Sequence, residues 1–340
     1  MKVLVLPPFQ KGGNSEFSFF TDENVAAIEK DFDVLWTETG RAYTKEEICE
    51  KICDVDAVVT FWGTVRLDED IIACAKKLKI VVHLGGTVNS YISPAVYEKG
   101  IMVISANDLY FARSVAEGAL TYAIVALRKI RTHILNMKEK REAGWSELIT
   151  EIRGICGKTV GIVSYGAIAR YLAEMLQPFG CKIKVYSRSI DESELKRLNM
   201  ERVSLEELFS TCDVISVHTA FNEHTKHMIN EDLIKRIHDG AVFVNTSRGA
   251  VVDEEALCRE LKSGRFMAAL DVFEKEPLPN DSPLYDMDNV LIIPHKGGPT
   301  QDVYPILTRG LIEEMKDYLF EGKIPKSKID EKRAFTMSFT

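Results

Sequence analysis

The amino-acid sequence predicts an α/β protein of two domains, each built on a doubly wound parallel sheet. The chain has 340 residues, and a domain commonly holds about 150. Short β-branched runs alternate with helical stretches over the first third of the chain, and the same alternation starts again at Gly157. A long, mostly apolar helical stretch separates the two series.

The composition is that of a globular chain. Apolar residues make up 46% and charged residues 28%, which is enough apolar surface for two cores. The 43 basic residues are outnumbered by 51 acidic ones and form no long basic run, so we expect no nucleic-acid partner.

The sequence also predicts a cytoplasmic protein. The longest uncharged apolar helical stretch, residues 118–127, is far shorter than the roughly 20 residues of a membrane span, and residues 1–8 are too short for a secretory signal. Seven scattered cysteines are typical of a reducing compartment. Cys49 and Cys53 lack a second ligand pair, so we expect no metal site.

Five strands and four helices are predicted in the first series. The strands lie at 2–6, 33–36, 57–61, 80–84 and 102–104, and the helices at 24–30, 45–53, 68–76 and 94–99.

The helical stretch between the series begins with a capping-box pattern. Ser114 and Glu117 predict a helix that starts there and runs to about Lys138. Residues 118–127 are apolar on nearly every side, so we expect the helix to be covered all round, between domains or between subunits.

Six strands are predicted in the second series, at 159–164, 182–187, 213–218, 241–245, 267–271 and 290–293. Helices are predicted at 168–177, 205–210, 231–237 and 254–263, with Ser204, Asn230 and Asp253 as N-caps. A last helix near 306–320 is expected to return to the first domain, so that one domain comprises 1–106 with 303–340 and the other 107–302.

The turn after the first strand of the second series partly matches a dinucleotide fingerprint. Ser164, Gly166 and Ala169 occupy its three glycine positions. The middle glycine allows the backbone to approach a pyrophosphate, and alanine is tolerated at the third position. Ser164 should alter the turn. Taken alone, the match is equally well explained as an ordinary βα turn.

The next strand ends in Ser187 and Arg188, where an NAD site has a carboxylate for the ribose hydroxyl. A hydroxyl followed by a guanidinium instead suits a 2′-phosphate. The sequence therefore favours NADP(H) over NAD(H), with a solvated surface charge as the alternative for Arg188.

Three later segments place ionisable groups at or just past predicted strand ends. They read Asn-Thr-Ser-Arg-Gly-Ala-Val-Val-Asp at 245–253, Ala-Leu-Asp-Val-Phe-Glu-Lys-Glu-Pro at 269–277 and Pro-His-Lys-Gly-Gly at 294–298. Ligands bind at this edge of an open α/β sheet. Any one of these groups alone is better explained as a surface charge or a loop histidine.

In this order and spacing, the three segments resemble those of the D-isomer-specific 2-hydroxyacid dehydrogenases, over about residues 55–300. Residues 114–117 and 217–220 match weaker family blocks. The resemblance implies a flavodoxin-like substrate domain and a Rossmann NAD(P)-binding domain, with the active site in the cleft between them. It also implies a homodimer formed through the cofactor domains, and the apolar helix suits that interface.

Carried over residue by residue, the resemblance implies that Arg248, Glu276 and His295 are catalytic. Arg248 would bind the carboxylate of a small 2-keto acid or 2-hydroxy acid and polarise its carbonyl. His295 would donate or accept the proton, since imidazole titrates near neutral pH. Glu276 would orient the imidazole ring and favour its protonated form.

The resemblance also implies the binding residues. The substrate would be held by Arg248 and by the loop Leu84, Gly85 and Gly86, whose adjacent amides can form an anion-binding nest; a second candidate loop is 62–64. The cofactor-binding candidates are Tyr165, Gly166, Ala167, Ile168, Ser187, Arg188, Ala220, Thr225, Thr246, Ser247, Asp271, Gly297 and Gly298.

Some positions depart from the family pattern, and alternatives stay open. Ala220 stands where many relatives have proline, and Lys296 either favours a second acidic group on the substrate or points to solvent. A dinucleotide-sensing binding protein, resembling the C-terminal-binding-protein corepressors, is the alternative function. Formate or phosphite oxidation is weaker, because formate-type relatives have glutamine at the position of Glu276.

Overall fold

A computed structural model describes residues 1–8, 18–37, 41–145 and 152–336, and the chain divides into two structural units. Unit 1 comprises Met1–Phe111 and Pro299–Thr340, and unit 2 comprises Ala112–Gly298. The last four residues of the predicted range 303–340 lie outside the described residues.

Unit 1 is built on a five-stranded parallel sheet. Its strands are β1 (Lys2–Pro8), β2 (Asp33–Thr37), β3 (Ala57–Thr60), β4 (Ile80–His83) and β5 (Met102–Ser105). Their order is β2-β1-β3-β4-β5, the doubly wound order in which the connections reverse between β1 and β3.

Helices cover both faces of this sheet. They are α1 (Asp22–Asp31), α2 (Lys45–Ile52), α3 (Glu69–Cys74), α4 (Ala95–Glu98), α13 (Val303–Glu321) and α14 (Glu331–Thr336). Val3 and Val5 pack with α1 and α13, whereas Leu4 and Leu6 pack with α2, α3, α4 and α14. Successive strand residues face opposite sides, so burial on both faces makes each strand a continuous apolar run.

Helix α13 ties the end of the chain to unit 1. Leu307, Leu311 and Met315 are fully buried against the sheet. The side chain of Asn24 fixes the helix further: its Nδ2 donates to the Pro305 carbonyl at 2.9 Å, and its Oδ1 accepts from Nε of Arg309 at 2.8 Å.

Unit 2 is built on a seven-stranded parallel sheet. Its strands are β6 (Thr159–Val163), β7 (Lys182–Tyr186), β8 (Met200–Arg202), β9 (Val214–Val217), β10 (Val242–Asn245), β11 (Met267–Leu270) and β12 (Val290–Ile292). The order β12-β11-β10-β9-β6-β7-β8 is again doubly wound, with the reversal between β6 and β9. The predicted fold class is confirmed. The sequence missed β8, because a three-residue strand is too short to show alternation.

The helices of unit 2 lie on both faces of its sheet. They are α5 (Ala112–Leu127), α6 (Ile130–Lys140), α7 (Glu142–Trp145), α8 (Ala167–Leu176), α9 (Glu192–Arg197), α10 (Leu205–Thr211), α11 (Glu231–Arg236) and α12 (Glu254–Leu261). Residues of α5, α8 and α9 share one core, and residues of α10, α11 and α12 share the other. The predicted N-caps Ser204, Asn230 and Asp253 are confirmed, since each side chain accepts a backbone N–H from the first turn of its helix.

The predicted long helix from Ser114 to Lys138 is wrong at its start and in its middle. A π-helical turn, Asn107–Phe111, leads directly into α5, and the Phe111 N–H donates to the Ala106 carbonyl. Ser114 therefore lies inside the helix and does not cap it. The helix ends at Leu127, whose carbonyl accepts from the Arg153 N–H, and Lys129 has a φ of +50°.

Within this single chain, one side of the apolar stretch is only half-buried, so the expected cover on all sides stays a prediction. Alanines such as Ala116, Ala119 and Ala123 form the buried face of α5, whereas Leu120 and Ile124 are only half-buried. None of the helices within the described ranges combines the length and apolar character that a membrane crossing requires.

We expect Leu311→Ala to destabilise the protein by about 2–5 kcal/mol, because it leaves a cavity between α13 and the sheet. Ile306→Ala is the matched control on the same helix, since Ile306 is 62% exposed, and should change stability by no more than about 0.5 kcal/mol. Urea unfolding followed by circular dichroism measures both. Equal effects would show that α13 does not pack as described.

Candidate active site

The candidate residues of unit 2 follow strands whose carboxyl ends share one edge of the sheet. Ser164 follows β6, Ser187 follows β7, Thr246 follows β10 and Asp271 follows β11. Because all seven strands are parallel, the loops that follow them emerge at the same edge.

Ser164 adopts the backbone conformation that glycine favours. Its φ is +69°, a positive value that glycine adopts without steric cost. The Ser164 hydroxyl lies 2.8 Å from the Thr219 hydroxyl, and this hydrogen bond offsets part of the steric cost of a left-handed, non-glycine residue.

The next residues of this turn begin α8. Gly166 is its N-cap, and a Cβ atom there would meet nothing within 4 Å, which leaves open space over the helix N-terminus. Ala167 and Ile168 form the first turn of the helix, half-buried, and Ala169 is fully buried. Tyr165 is held to one side, since its hydroxyl donates to Glu194 Oε1 at 2.7 Å.

Ser187 and Arg188 leave the end of β7 toward solvent. The Ser187 hydroxyl accepts from the Ser189 N–H at 3.3 Å. Arg188 is exposed and, within the described part of the chain, makes no ion pair. Its guanidinium is therefore available to a ligand.

Asn245, which the sequence analysis missed, organises the turn that carries Arg248. Its Oδ1 accepts from the N–H and the hydroxyl of Ser247, at 3.1 and 2.8 Å, and its Nδ2 donates to the Arg248 carbonyl at 3.1 Å. A buried asparagine at a strand end was the available sequence signal. The amide fixes the backbone on both sides of Ser247.

Arg248 is a largely buried cation. Its Nη1 donates to the Ser247 carbonyl at 2.7 Å, whereas its buried Nε has no partner within the described part of the chain. Burial lowers the pKa of Arg248, and the negative charge of Glu276 acts against this shift. A buried guanidinium with an unused donor suits an anionic ligand.

Gly249 brings the Arg248 turn against the loop that contains Glu276. A Cβ atom at this position would collide with the backbone of Phe273 and Glu274. Only glycine permits this approach. The two loops therefore pack backbone to backbone.

Glu276 and His295 form a direct hydrogen bond. The distance from His295 Nδ1 to Glu276 Oε2 is 2.7 Å, and Glu276 Oε1 accepts from the Phe273 N–H at 3.0 Å. Both carboxylate oxygens are thus engaged. The His295 side chain remains 42% exposed, so the imidazole is held in orientation and is still reachable.

Asp271 holds the backbone of the His295 loop through hydrogen bonds. Asp271 is 2% exposed. Its carboxylate accepts from the Lys296 N–H at 2.6 Å, and its carbonyl accepts from the His295 N–H at 2.9 Å. Burial raises the pKa of Asp271, and the amides of Lys296 and Gly297 oppose this shift. The sequence placed Asp271 beside the cofactor; its visible contacts position the histidine.

The loop of Glu276 is also braced by carboxylates that the sequence analysis did not single out. The Glu274 N–H donates to Glu254 Oε2 at 2.9 Å, and the Glu254 N–H donates to Glu274 Oε1 at 3.3 Å. His227 Nε2 lies 2.7 Å from the same Glu274 oxygen. Burial first, and then the charges of Glu274 and Glu276, raise the pKa of Glu254, while the Glu274 amide opposes the shift.

Gly297 and Gly298 are required by close packing. A Cβ atom on Gly297 would come within 2.6 Å of Asp271 Oδ2, and one on Gly298 within 2.8 Å of the Val115 nitrogen. The carbonyl of Gly297 fills the space beside Gly118. These contacts lock the segment after His295 against α5.

Two other cofactor candidates lie in the loop after β9. Ala220 is exposed, and Thr225 is buried. The Thr225 hydroxyl donates to the Ala220 carbonyl at 2.8 Å and accepts from the Asn222 N–H at 2.8 Å. Thr225 therefore shapes the loop, and its hydroxyl is already in use.

The predicted substrate loop lies in unit 1, after β4. The Ser105 hydroxyl lies 3.0 and 2.6 Å from the carbonyl oxygens of Gly85 and Gly86. Both carbonyls therefore point toward the buried Ser105 side chain. The Gly85 and Gly86 N–H groups have no acceptor among the described residues; we call this pair of amides the nest. The Leu84 N–H instead donates to the Thr60 carbonyl, and its side chain is buried.

Comparison with known proteins identifies 2-hydroxyacid dehydrogenases and reductases as relatives of this chain. The NAD-binding domain model of the D-isomer specific 2-hydroxyacid dehydrogenases matches residues 120–297. A hydroxypyruvate reductase of Thermotoga maritima is 34% identical over 281 residues, which cover 82% of this chain and 89% of that protein. The chain belongs to the D-isomer-specific 2-hydroxyacid dehydrogenase family.

Some relatives are longer than this chain. A D-3-phosphoglycerate dehydrogenase of Methanocaldococcus jannaschii is 34% identical over 284 residues, which are 83% of this chain and 53% of that protein. The chain thus spans about half the length of that relative. Among solved structures, D-mandelate dehydrogenase of Rhodotorula graminis shares the fold, with a TM-score of 0.80 at 24% identity, covering 97% of this chain and 98% of that one.

The family predicted from the sequence is therefore confirmed, and with it an enzyme class: NAD-dependent oxidoreductases that act on CH–OH groups. The residues of unit 2 fit a nicotinamide dinucleotide. The space over the α8 N-terminus is open at Gly166, and the hydroxyl of Thr246 is buried without a partner among the described residues. Helix N-termini favour phosphate groups.

Ser164 offers a test of the turn geometry. Ser164→Ala loses the hydrogen bond to Thr219 and keeps a strained backbone, whereas Ser164→Gly loses the bond and relieves the strain. We expect the alanine variant to be less stable than the glycine variant by about 1–2 kcal/mol. Urea unfolding measures the difference, and equal stabilities would rule out the left-handed conformation at this position.

Proposed function

We propose that this chain is an oxidoreductase that transfers a hydride between NAD(P)H and a small 2-keto acid, giving the D-2-hydroxy acid. The observation that carries the proposal is the 2.7 Å hydrogen bond between His295 and Glu276. The loop that contains Glu276 packs in turn against the turn that contains Arg248. Dinucleotide binding is assigned to unit 2, which the NAD-binding family model matches.

Arg248 binds and polarises the substrate. Its planar guanidinium offers paired donors to the carboxylate and the neighbouring carbonyl oxygen of a 2-keto acid. Its buried Nε lacks a partner within the described residues, so an anionic substrate would satisfy a donor that the protein leaves open. The bound nicotinamide supplies or takes the hydride at the carbonyl carbon.

His295 handles the proton. As the carbonyl oxygen gains negative charge, the imidazole donates a proton to it, and it accepts that proton in the reverse direction. The Glu276 carboxylate fixes the ring nitrogen that faces it and stabilises the imidazolium. The Phe273 N–H donates to the other oxygen of this carboxylate and so fixes its orientation.

The nest of unit 1 is proposed as a second contact for the substrate carboxylate. Two adjacent amides of Gly85 and Gly86, with their carbonyls held back by Ser105, form a concave donor pair for an anion. The name of the reductase relative, hydroxypyruvate reductase, favours a small 2-keto acid as the substrate class.

His295→Ala should lower the turnover of 2-keto acids by about 100- to 10,000-fold, since the proton donor is lost, and leave cofactor affinity nearly unchanged. The assay follows NADPH and NADH absorbance with glyoxylate, pyruvate, hydroxypyruvate and larger keto acids. His238→Ala is the control, because His238 precedes β10 at the opposite edge of the sheet.

Unchanged turnover in His295→Ala would overturn the proton-transfer role. A wild-type protein that binds NAD(P)H and reduces no keto acid would instead favour a dinucleotide-sensing binding protein.

For the cofactor we propose a preference for NADP(H), based on Ser187 and the exposed Arg188 at the end of β7. Arg188→Ala should weaken NADPH binding by about tenfold or more, as expected for a charge-assisted contact, and barely change NADH binding. Fluorescence titration with each cofactor measures the ratio. Lys182→Ala, an exposed charge at the start of the same strand, is the control, and an unchanged ratio in Arg188→Ala contradicts the preference.

We also propose a homodimer formed through unit 2. Helix α6 has no buried residue, and Ile130, Ile134 and Met137, which are 40%, 50% and 40% exposed, lie on one of its faces. A second copy would cover this apolar face and the half-buried side of α5.

The seven cysteines are free, which favours a reducing compartment, and we propose that the protein is cytoplasmic.

Ile134→Asp should convert the dimer to a monomer, because it places a charge in the apolar contact. Sedimentation velocity measures the species. Ile324→Asp, at a position in unit 1 that is 74% exposed, should leave the dimer intact, and a monomeric wild-type protein would refute the interface.

A further inference from the structure

Glu274 lies two residues before Glu276, and its side chain reaches two other segments of unit 2. Its Oε1 accepts from the Glu254 N–H at 3.3 Å and lies 2.7 Å from Nε2 of His227. The Glu274 N–H donates in return to Glu254 Oε2 at 2.9 Å. The loop that carries Glu276 is therefore fastened to the first turn of α12 and to the segment of His227.

Both partners of Glu274 belong to the framework around the residues that follow Arg248. The His227 N–H donates to the Ala250 carbonyl at 2.9 Å, two residues after Arg248. Glu254 begins α12 four residues later. His227 has a φ of +48°, a left-handed conformation that a residue with a side chain adopts only at a cost. Glu274 therefore links its own loop to the segment that carries Arg248.

Glu254, Glu274 and Glu276 bring three carboxyl groups close together. Burial raises the pKa of Glu254, the Glu274 amide opposes this shift, and the charges of Glu274 and Glu276 raise it further. Like charges repel, and the N–H groups of the cluster, with His227 at Glu274, offset that repulsion. Loss of the Glu274 carboxylate would leave both the Glu254 N–H and the His227 ring without this partner.

The backbone next to Glu274 sets the orientation of the Glu276 carboxylate. The Phe273 N–H donates to Glu276 Oε1 at 3.0 Å, and Glu276 Oε2 lies 2.7 Å from Nδ1 of His295. A shift of the backbone at Phe273 and Glu274 would move this N–H group. The carboxylate would then lose the bond that orients it toward the imidazole.

We propose that Glu274 is a positioning residue for proton transfer, which keeps the Glu276 carboxylate against the imidazole of His295. It does so through its contacts with Glu254 and His227, and therefore acts through another residue and not on the substrate itself. This inference rests on the proposed function and deepens it. Charge-bearing networks of this kind define one arrangement of a loop when every member has a partner.

The first measurement is the kinetics of keto-acid reduction. For the keto acid that the wild-type protein reduces fastest, Glu274→Ala should lower kcat about tenfold or more, because the proton donor is less well oriented. KM should change by less than about twofold, since Arg248 still binds the carboxylate. Glu274→Gln keeps an oxygen that can accept the Glu254 N–H, and should restore kcat to within about twofold of wild type.

Glu255→Ala is the matched control, because Glu255 lies in the first turn of the same helix with its side chain 88% exposed. It should change neither kcat nor KM. His227→Asn is a second test variant: asparagine tolerates the left-handed backbone and is too short to reach Glu274. It should lower kcat by about threefold at unchanged KM. An unchanged kcat in Glu274→Ala, or a glutamine variant as slow as the alanine variant, would overturn the positioning role.

Amide hydrogen exchange tests the positioning without the reaction. The Phe273 N–H is bonded to Glu276 Oε1, so it should exchange about tenfold faster or more in Glu274→Ala than in wild type or Glu274→Gln. Thermal unfolding of each variant verifies that it is folded. Equal exchange in all of these proteins would contradict the inference.

The two measurements separate this inference from the proposed function. If the wild-type protein reduces no keto acid and the exchange of the Phe273 N–H still depends on Glu274, the reaction fails and the positioning stands. If keto acids are reduced, and kcat and exchange are the same in Glu274→Ala and wild type, the positioning fails and the reaction stands.

Discussion

The buried carboxylate of Asp271 is the contact on which the geometry of the site depends. It accepts a backbone N–H from Lys296, while the Asp271 carbonyl accepts that of His295. These bonds hold His295 in a left-handed conformation, with a φ of +52°, that a residue with a side chain adopts only at a cost. The orientation of the imidazole is therefore set by the backbone before any ligand binds.

Charge in this site is concentrated and compensated locally. Arg248 is partly buried and feels the negative charge of Glu276. The two carboxylate oxygens of Glu276 are themselves bound to His295 and to the Phe273 N–H. A buried ion without a partner is costly, so an anionic ligand that reached the open Nε of Arg248 would offset part of this cost.

The sequence predicts most of the fold because parallel strands buried on both faces are continuous apolar runs, and because N-caps such as Ser204 and Asp253 carry a local signal. The end of α5 could not be predicted, because it depends on the Arg153 N–H, which is distant in sequence. The start of that helix was misread because a π-helical turn precedes it, a geometry that leaves no simple periodicity.

The residues of the candidate site likewise fall into those that the sequence could predict and those that it could not. Arg248, Glu276 and His295 could be found because their segments resemble those of a known family. The supporting contacts of Asn245 and Ser105 could not, because each joins groups whose closeness appears only after folding. Glu274 was visible as part of the family segment 269–277, but its contacts with Glu254 and His227 appear only after folding.

The close approach at Gly249 has a mechanical consequence. With no side chain between them, the turn of Arg248 and the loop of Glu276 cannot slide past each other without breaking backbone contact with Phe273. The turn that carries Arg248 and the loop that carries Glu276 therefore pack directly against each other, backbone to backbone. A movement of either backbone segment would therefore displace the other.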